Sequence, residues 1–192
     1  MRKWLKTLLV ADSFAALASG MLLPIYAIFV GQIGGDLLDA SSSWAVFAII
    51  AGILIYVMGR WEDKHKHYAR LMFSGYLLRA LAFLGYFFVS NTTELFLVQI
   101  ILGISAAVLT PSYDALYSSY LDKGKYATEW GAWEGMTLVV EGIAALMGGA
   151  IVFYFGFSVL FLIMFLTGLL GALISIRLMS KKAKKATSPN LY

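Results

Sequence analysis

Five ionisable residues fall inside or at the edges of apolar stretches in this chain: Asp12, Arg79, Asp114, Glu134 and Glu141. A charge at the centre of a hydrocarbon layer costs about 2.5–3.5 kcal/mol on insertion scales, so each needs a partner or a task. Glu141 and Arg79 lie near the middles of their stretches, whereas Asp12, Asp114 and Glu134 lie toward the ends, within reach of water or headgroups. A lone carboxyl at mid-depth can exchange protons near neutral pH, which makes Glu141 the first candidate for a proton-carrying group. The alternative is a permanently protonated Glu141, bonded to a backbone carbonyl in a Gly-rich contact. Arg79 cannot shed its proton and needs an acid, water or a cavity around it. An ion pair with Asp12 or Glu141 is its structural reading, and substrate contact its functional one. No Ser–His or Cys–His pair, His cluster or phosphate loop is present, and His65 and His67 share one short basic stretch without an acidic or Cys ligand set. No enzyme, metal site or cofactor is expected.

The elements that would position these groups follow from composition. Of the 192 residues 60% are hydrophobic and 14% charged, with no Cys. Soluble domains average roughly 45–50% apolar and about 25% charged, so a water-soluble enzyme, a disulfide scaffold and a disordered chain are all excluded. A span needs about 20 apolar residues. Six stretches qualify, approximately 7–30, 44–58, 68–89, 94–117, 130–153 and 157–179, with short links that leave no room for a soluble domain. The expectation is an all-α membrane protein, with residues 1–192 forming a single six-helix transmembrane domain. The first stretch is too long for a signal peptide and lacks a small-residue cleavage pattern, so it reads as a retained span.

Of the 15 Lys and Arg residues, all but Arg79 fall on one side of a six-span layout, at the N-terminus, around 60–70, at Lys123 and Lys125, and from Arg177 onward. The opposite links carry Asp36, Asp39 and Glu94 and no base. The positive-inside rule then puts both termini in the cytoplasm and the chain in a cell (inner or plasma) membrane. The bases form no patch on a folded surface, so nucleic acid is not expected as a partner. The basic run over 181–185 serves as an orientation signal or an anionic-lipid patch.

A weak internal echo is present. Leu22-Leu23-Pro24-Ile25-Tyr26 in the first span aligns with Leu109-Thr110-Pro111-Ser112-Tyr113 in the fourth, and Trp44 and Met58-Gly59 in the second with Trp133 and Met147-Gly148 in the fifth. Two three-helix inverted repeats would produce such an echo. In the fourth span Gln99, Gly103, Ala106, Thr110, Tyr113 and Tyr117 recur at helical spacing on one face. Such a face turns toward a cavity or toward a packed neighbour.

Four segments resemble the N-terminal six-helix half of the major facilitator superfamily. Gly59-Arg60-Trp61-Glu62-Asp63-Lys64 resembles its loop signature, with Lys66 standing where that signature has a second Gly. Ser19-Gly20-Met21-Leu22-Leu23-Pro24 resembles the Gly-then-Pro signature of its drug exporters. Gln99-Ile100-Ile101-Leu102-Gly103 resembles a signature that starts with Arg. Gly148-Gly149 followed by Phe155-Gly156-Phe157 resembles the end of the exporter signature, with Ala144-Ala145 in place of its Gly-Pro.

The resemblance implies a secondary transporter in which two six-helix halves rock about a midplane site. This chain supplies one half, so a partner is implied, most simply a second copy related by a twofold axis along the membrane normal. The polar stretch over 188–192 reads as a cytoplasmic end. The substrate and proton pathway would comprise Glu141, Asp12, Arg79, Gln99, Tyr113, Tyr117 and Thr110. In the resembling fold the third span is peripheral, which favours Arg79 in a structural ion pair. A cytoplasmic latch would draw on Gly59, Asp63, Lys64, Asp114 and Glu134, and the dimer seam on Gly142, Gly148 and Gly149. The expected substrate is a small apolar or cationic molecule, because acids outnumber bases in the spans. The competing functions are a non-transporting scaffold or accessory subunit, half of a heterodimeric transporter, and a channel or scramblase.

Overall fold

A proline inside a helix removes one N–H and clashes with the preceding turn. In the computed structural model, which describes residues 3–180, Pro24 has this effect on the first span. Helix α1 (Lys3–Leu22) ends, a 3-10 turn over Leu23–Ile25 carries the proline, and α2 (Tyr26–Gln32) resumes. Arg2, the basic run over 181–185 and the stretch over 188–192 lie outside the described residues.

Asp36 and Asp39 set the start of the next helix. The Asp39 N–H donates to Asp36 Oδ1 at 2.9 Å and the Asp36 N–H to Asp39 Oδ2 at 3.0 Å. This reciprocal cap satisfies donors that a helix start otherwise leaves free. Helix α3 therefore runs over Leu37–His65, well beyond the 44–58 expected from hydropathy at both ends. It closes at Lys66, whose φ of 53° makes it the one non-glycine with positive φ among the described residues. This is the position at which the resembling loop signature carries glycine. A left-handed Lys costs about 1 kcal/mol relative to Gly. Lys66→Gly is therefore expected to stabilise the protein by about that amount, read as a rise in the thermal unfolding midpoint in detergent.

The remaining helices are α4 (Tyr68–Tyr86), α5 (Thr92–Tyr120), α6 (Tyr126–Phe155) and α7 (Phe157–Ser175), the last followed by a 3-10 turn over Ile176–Met179. Five segments are long and apolar enough to cross a membrane: Lys3–Gln32, α3, α5, α6 and Phe157–Met179. Helix α4, shorter and carrying Arg70 and Arg79, is the sixth member of the bundle and packs between α5 and α7.

Five pairings hold the bundle: α3 on α5, α5 on α4, α4 on α7, α7 on α1, and α1 on α6. In lipid, apolar burial gives little drive for helices to associate, so close backbone approach at small residues carries the packing. Each of the five crossings has a glycine packed against the facing helix. A Cβ at Gly103 would lie 3.0 Å from Phe47 O, at Gly75 2.9 Å from Leu109 Cα, at Gly168 3.3 Å from Ala80 Cβ, at Gly171 2.8 Å from Ala11 O, and at Gly148 2.0 Å from Met21 O.

The same pairings make an open arc with α3 at one end and α6 at the other. Only 11% of the most apolar stretch of either end helix is buried, against 50% in α5. Gly131, Gly135, Gly142 and Gly149 recur at four- and seven-residue steps on one face of α6, and a Cβ at any of them would meet nothing within 4 Å. Large apolar side chains on these two helices, including Ile53, Tyr56, Leu138, Leu146 and Phe153, are exposed.

Candidate functional site

The bundle has a near end, which holds Lys3 and the α3–α4 and α5–α6 links, and an opposite, far end. Toward the far end the helices part around a cavity of about 480 Å³. The break at Pro24 places Ser19, Leu23 and Tyr26 on its wall, the start of α3 adds Trp44 and Phe47, α4 adds Arg79, Phe83 and Tyr86, α5 adds Gln99, and α6 adds Glu141. Both end helices of the arc thus contribute to one space. Glu141 is held at the α1–α6 crossing, where a Cβ on Gly20 would come within 3.1 Å of its Cα and 3.4 Å of its Cγ.

Polar order in the cavity centres on Gln99. Its Nε2 donates to Tyr26 Oη at 2.6 Å and to Tyr86 Oη at 3.1 Å, and Tyr26 Oη shares a further bond of 2.6 Å with Ser43 Oγ. Four helices are joined by this chain of neutral groups, and a buried network with its members satisfied fixes side-chain positions. The resembling signature has Arg at position 99; here the neutral amide leaves Arg79, one helix away, as the only base on the cavity wall.

A second polar centre lies closer to the near end. Asp12 accepts from Trp133 Nε1 at 2.7 Å and from Tyr76 Oη at 3.0 Å. Tyr113 lies beside the same carboxyl without closing a hydrogen bond. Tyr113, Tyr117, Trp130 and Trp133 pack as an aromatic cluster with ring centroids 4.7–5.8 Å apart. Arg79 feels Asp12 and Tyr76 across space, yet the bonds to Asp12 come from neutral donors.

The residues expected to form one pathway therefore separate. Glu141, Arg79 and Gln99 meet at the cavity. Asp12, Tyr113 and Tyr117 belong to the aromatic layer, and Thr110, half-buried on α5, lines neither. Among the expected latch residues, Asp63 accepts from Tyr68 Oη at 3.1 Å, Gly59 faces Pro111, Lys64 and Glu134 are exposed, and Asp114 is half-buried. No hydrogen bond or ion pair gathers them among the described residues. Of the expected seam glycines, Gly142 and Gly149 face open space, whereas Gly148 is packed against Met21 within the chain.

Two buried acids escaped the sequence reading. Glu62 is fully buried, with Oε2 accepting from Ser112 Oγ at 2.6 Å, while its Oε1 has no partner among the described residues. Glu129 is 2% exposed and its Oε2 accepts from the Asp122 N–H at 2.8 Å. Both lie on the inward stripes of helices longer than their apolar cores: Ala51 and Glu62 on α3, and Glu129, Ala144 and Gly148 on α6. Extending the helical spacing past the apolar residues would have found them.

The sequence model of the Major Facilitator Superfamily matches residues 8–191. An uncharacterized MFS-type transporter, YitZ of Bacillus subtilis strain 168, is 23% identical over 158 residues, covering 80% of this chain and 95% of that protein. The multidrug resistance protein MdtH of Shigella boydii is 23% identical over 157 residues, and that of Escherichia coli O157:H7 24% over 139. The chain spans only 38% and 34% of these two longer relatives. With a match over nearly its whole length, laid on a helical bundle with a cavity between its end helices, this chain belongs to the Major Facilitator Superfamily of transporters.

Proposed function

We propose that the chain is half of a secondary active transporter, and that two copies pair about a twofold axis along the membrane normal to make a twelve-helix, proton-coupled, alternating-access carrier for a small molecule. The observation that carries this reading is the open arc. Its two end helices both line the cavity, and both leave their apolar faces and the α6 glycines uncovered. A second arc set against the first would cover those faces and close the cavity between them. The similarity extends over 95% of the length of YitZ, a relative of comparable size.

The pairing pattern also supports two inverted three-helix repeats. Exchanging the first span with the fourth, the second with the fifth and the third with the sixth turns α3–α5 into α6–α1 and α5–α4 into α1–α7, and leaves α4–α7 unchanged. Both termini are assigned to the cytoplasm of a cell membrane from the distribution of bases. Protonation of Glu141, at the crossing nearest the cavity, would bias the two facing states.

Native mass spectrometry of the protein in lipid nanodiscs tests the pairing. The wild type is expected to be a dimer. Gly142→Leu, which adds bulk where nothing lies within 4 Å, is expected to give folded monomers whose unfolding midpoint falls below that of the wild type by the stabilisation the partner supplied. A strictly monomeric wild type would sink the homodimer and leave a scaffold or half of a heterodimer.

A further inference from the structure

Three of the near-end bases line one pocket. It has a volume of about 510 Å³ and opens where the start of α1 meets the end of α7. Lys3, Lys6, Thr7 and Val10 come from α1, Ile174 from α7, and Arg177 from the 3-10 turn that follows it. Core packing holds these elements in place. Leu178, in the same turn as Arg177, is buried in one cluster with Leu5 and Leu8 of α1. Lys3, Lys6 and Val10 recur at three- and four-residue steps, which sets them on one face of α1. Like charges gathered in one place repel one another unless a counter-ion lies among them. Among the described residues no acid lines this pocket, and the segments that build it contain none: no Asp or Glu precedes Asp12 or follows Glu141. Asp12 itself is occupied by Trp133 and Tyr76. The Thr7 hydroxyl donates to Lys3 O at 3.2 Å, so the pocket offers a ligand its three cationic heads. Lys3 Nζ lies 5.7 Å from the centroid of the Trp4 ring, a contact that orders it beside the opening.

From these placements we infer that the pocket between α1 and α7 binds the phosphate headgroup of an anionic membrane phospholipid, one for each copy of the chain. Arg177 supplies a two-pronged contact to the phosphate oxygens, and Lys3 and Lys6 supply two point charges. The choice of a lipid over a dissolved anion rests on what adjoins the bases. Val10 is 47% exposed, and Leu170 and Leu173, seven and four residues before Arg177, are 46% and 50% exposed. Those spacings set both leucines on the Arg177 side of the helix, about two turns and one turn deeper in the apolar span. A free phosphate leaves that stripe bare, whereas a phosphodiester carrying acyl chains covers it. The distribution of bases assigns this end to the cytoplasm, and the cytoplasmic leaflet is the one that carries anionic lipid. The bound headgroup ties the start of α1 to the end of α7. Neither helix is an end of the arc, so the site does not depend on pairing between copies.

The test uses the whole protein in detergent, stripped of lipid and then given phosphatidylglycerol or phosphatidylcholine with the same acyl chains. Native mass spectrometry counts the lipid retained per chain. One phosphatidylglycerol per chain is expected, bound at least tenfold more tightly than phosphatidylcholine, and its binding is expected to raise the unfolding midpoint. The triple variant Lys3→Gln, Lys6→Gln, Arg177→Gln is expected to lose both the preference and the rise. Two controls remove charge elsewhere. One replaces Arg60, Lys123 and Lys125, which are exposed and outside the pocket, by Gln; the other replaces Lys181, Lys182, Lys184 and Lys185 by Gln. Both are expected to bind as the wild type does. Should the triple variant misfold, Arg177→Lys serves: it keeps the charge, loses the two-pronged contact, and is expected to bind at least threefold more weakly. Equal retention of the two lipids, retention unchanged by the pocket variants, or a loss in either control as large as in the triple variant would overturn the inference. So would inorganic phosphate that displaces phosphatidylglycerol and raises the midpoint as far, because the ligand would then be a soluble anion.

Discussion

Replacing Gly148 by alanine is expected to cost about 3 kcal/mol, the upper end for overpacked sites, or to prevent recovery of folded protein. The added Cβ would lie 2.0 Å from Met21 O, 2.7 Å from Met21 C and 2.8 Å from Met21 Cα. All three are backbone atoms in the last turn of α1, directly before the Leu23–Ile25 turn, so no side-chain rotation relieves the clash. Either α6 or the whole end of α1 must move, and Leu22 and Leu23 on the cavity wall move with it. Gly149→Ala is the control. Its Cβ meets nothing within 4 Å, and in a helix alanine is favoured over glycine by about 1 kcal/mol, so that variant is expected to be at least as stable as the wild type. Thermal unfolding in detergent, followed by tryptophan fluorescence, reads both. Equal midpoints for the two variants would show that α1 and α6 do not approach this closely.

That pair of adjacent glycines marks how far the sequence could be read. Gly148 and Gly149 look alike on paper, and both were assigned to a seam between copies. On a helix they point about 100° apart, and only the crossing with α1 decides which faces inward. The number of bundle helices was legible from the apolar stretches, and five of the six expected spans prove long and apolar enough to cross the hydrocarbon. Their ends were not. Hydropathy falls off where a helix leaves the lipid, whereas α3 starts at a capping pair of aspartates and runs on to His65. Glu62 and Glu129 were lost for that reason. Glu141, Arg79 and Gln99 were legible as candidates from residue type and depth, but their meeting at one cavity depends on where α1, α4, α5 and α6 cross. Tyr113 and Tyr117 have the spacing of a cavity face. They turn out to pack into Trp130 and Trp133, because the start of α6 brings two indoles against that face of α5. Spacing says which residues share a face, and only the neighbouring helix says what that face meets.

Asp12→Ala is expected to be the most destabilising change at a polar residue, at about 4 kcal/mol. Hydrogen bonds to a charged group contribute about 1.5–3 kcal/mol each, and buried donors left without acceptors cost about as much. Here one carboxyl accepts from Trp133 on α6 and Tyr76 on α4, so a single α1 side chain ties the outer helix of the arc to its middle. Alanine leaves both donors unmatched and removes the acid that Arg79 feels from α1. Asparagine separates shape from charge. Its carbonyl oxygen can still accept from the indole, and its NH₂ can donate to a rotated Tyr76 hydroxyl, so Asp12→Asn should lose only about 1 kcal/mol. Trp133→Phe, which removes one donor and keeps a ring in the aromatic cluster, should fall between them. The expected order of unfolding midpoints is wild type, Asp12→Asn, Trp133→Phe, then Asp12→Ala. If Asp12→Ala and Asp12→Asn unfold together, the hydrogen bonds are not what holds α6 to the bundle, and the close crossings at Gly148 and Gly20 carry that contact.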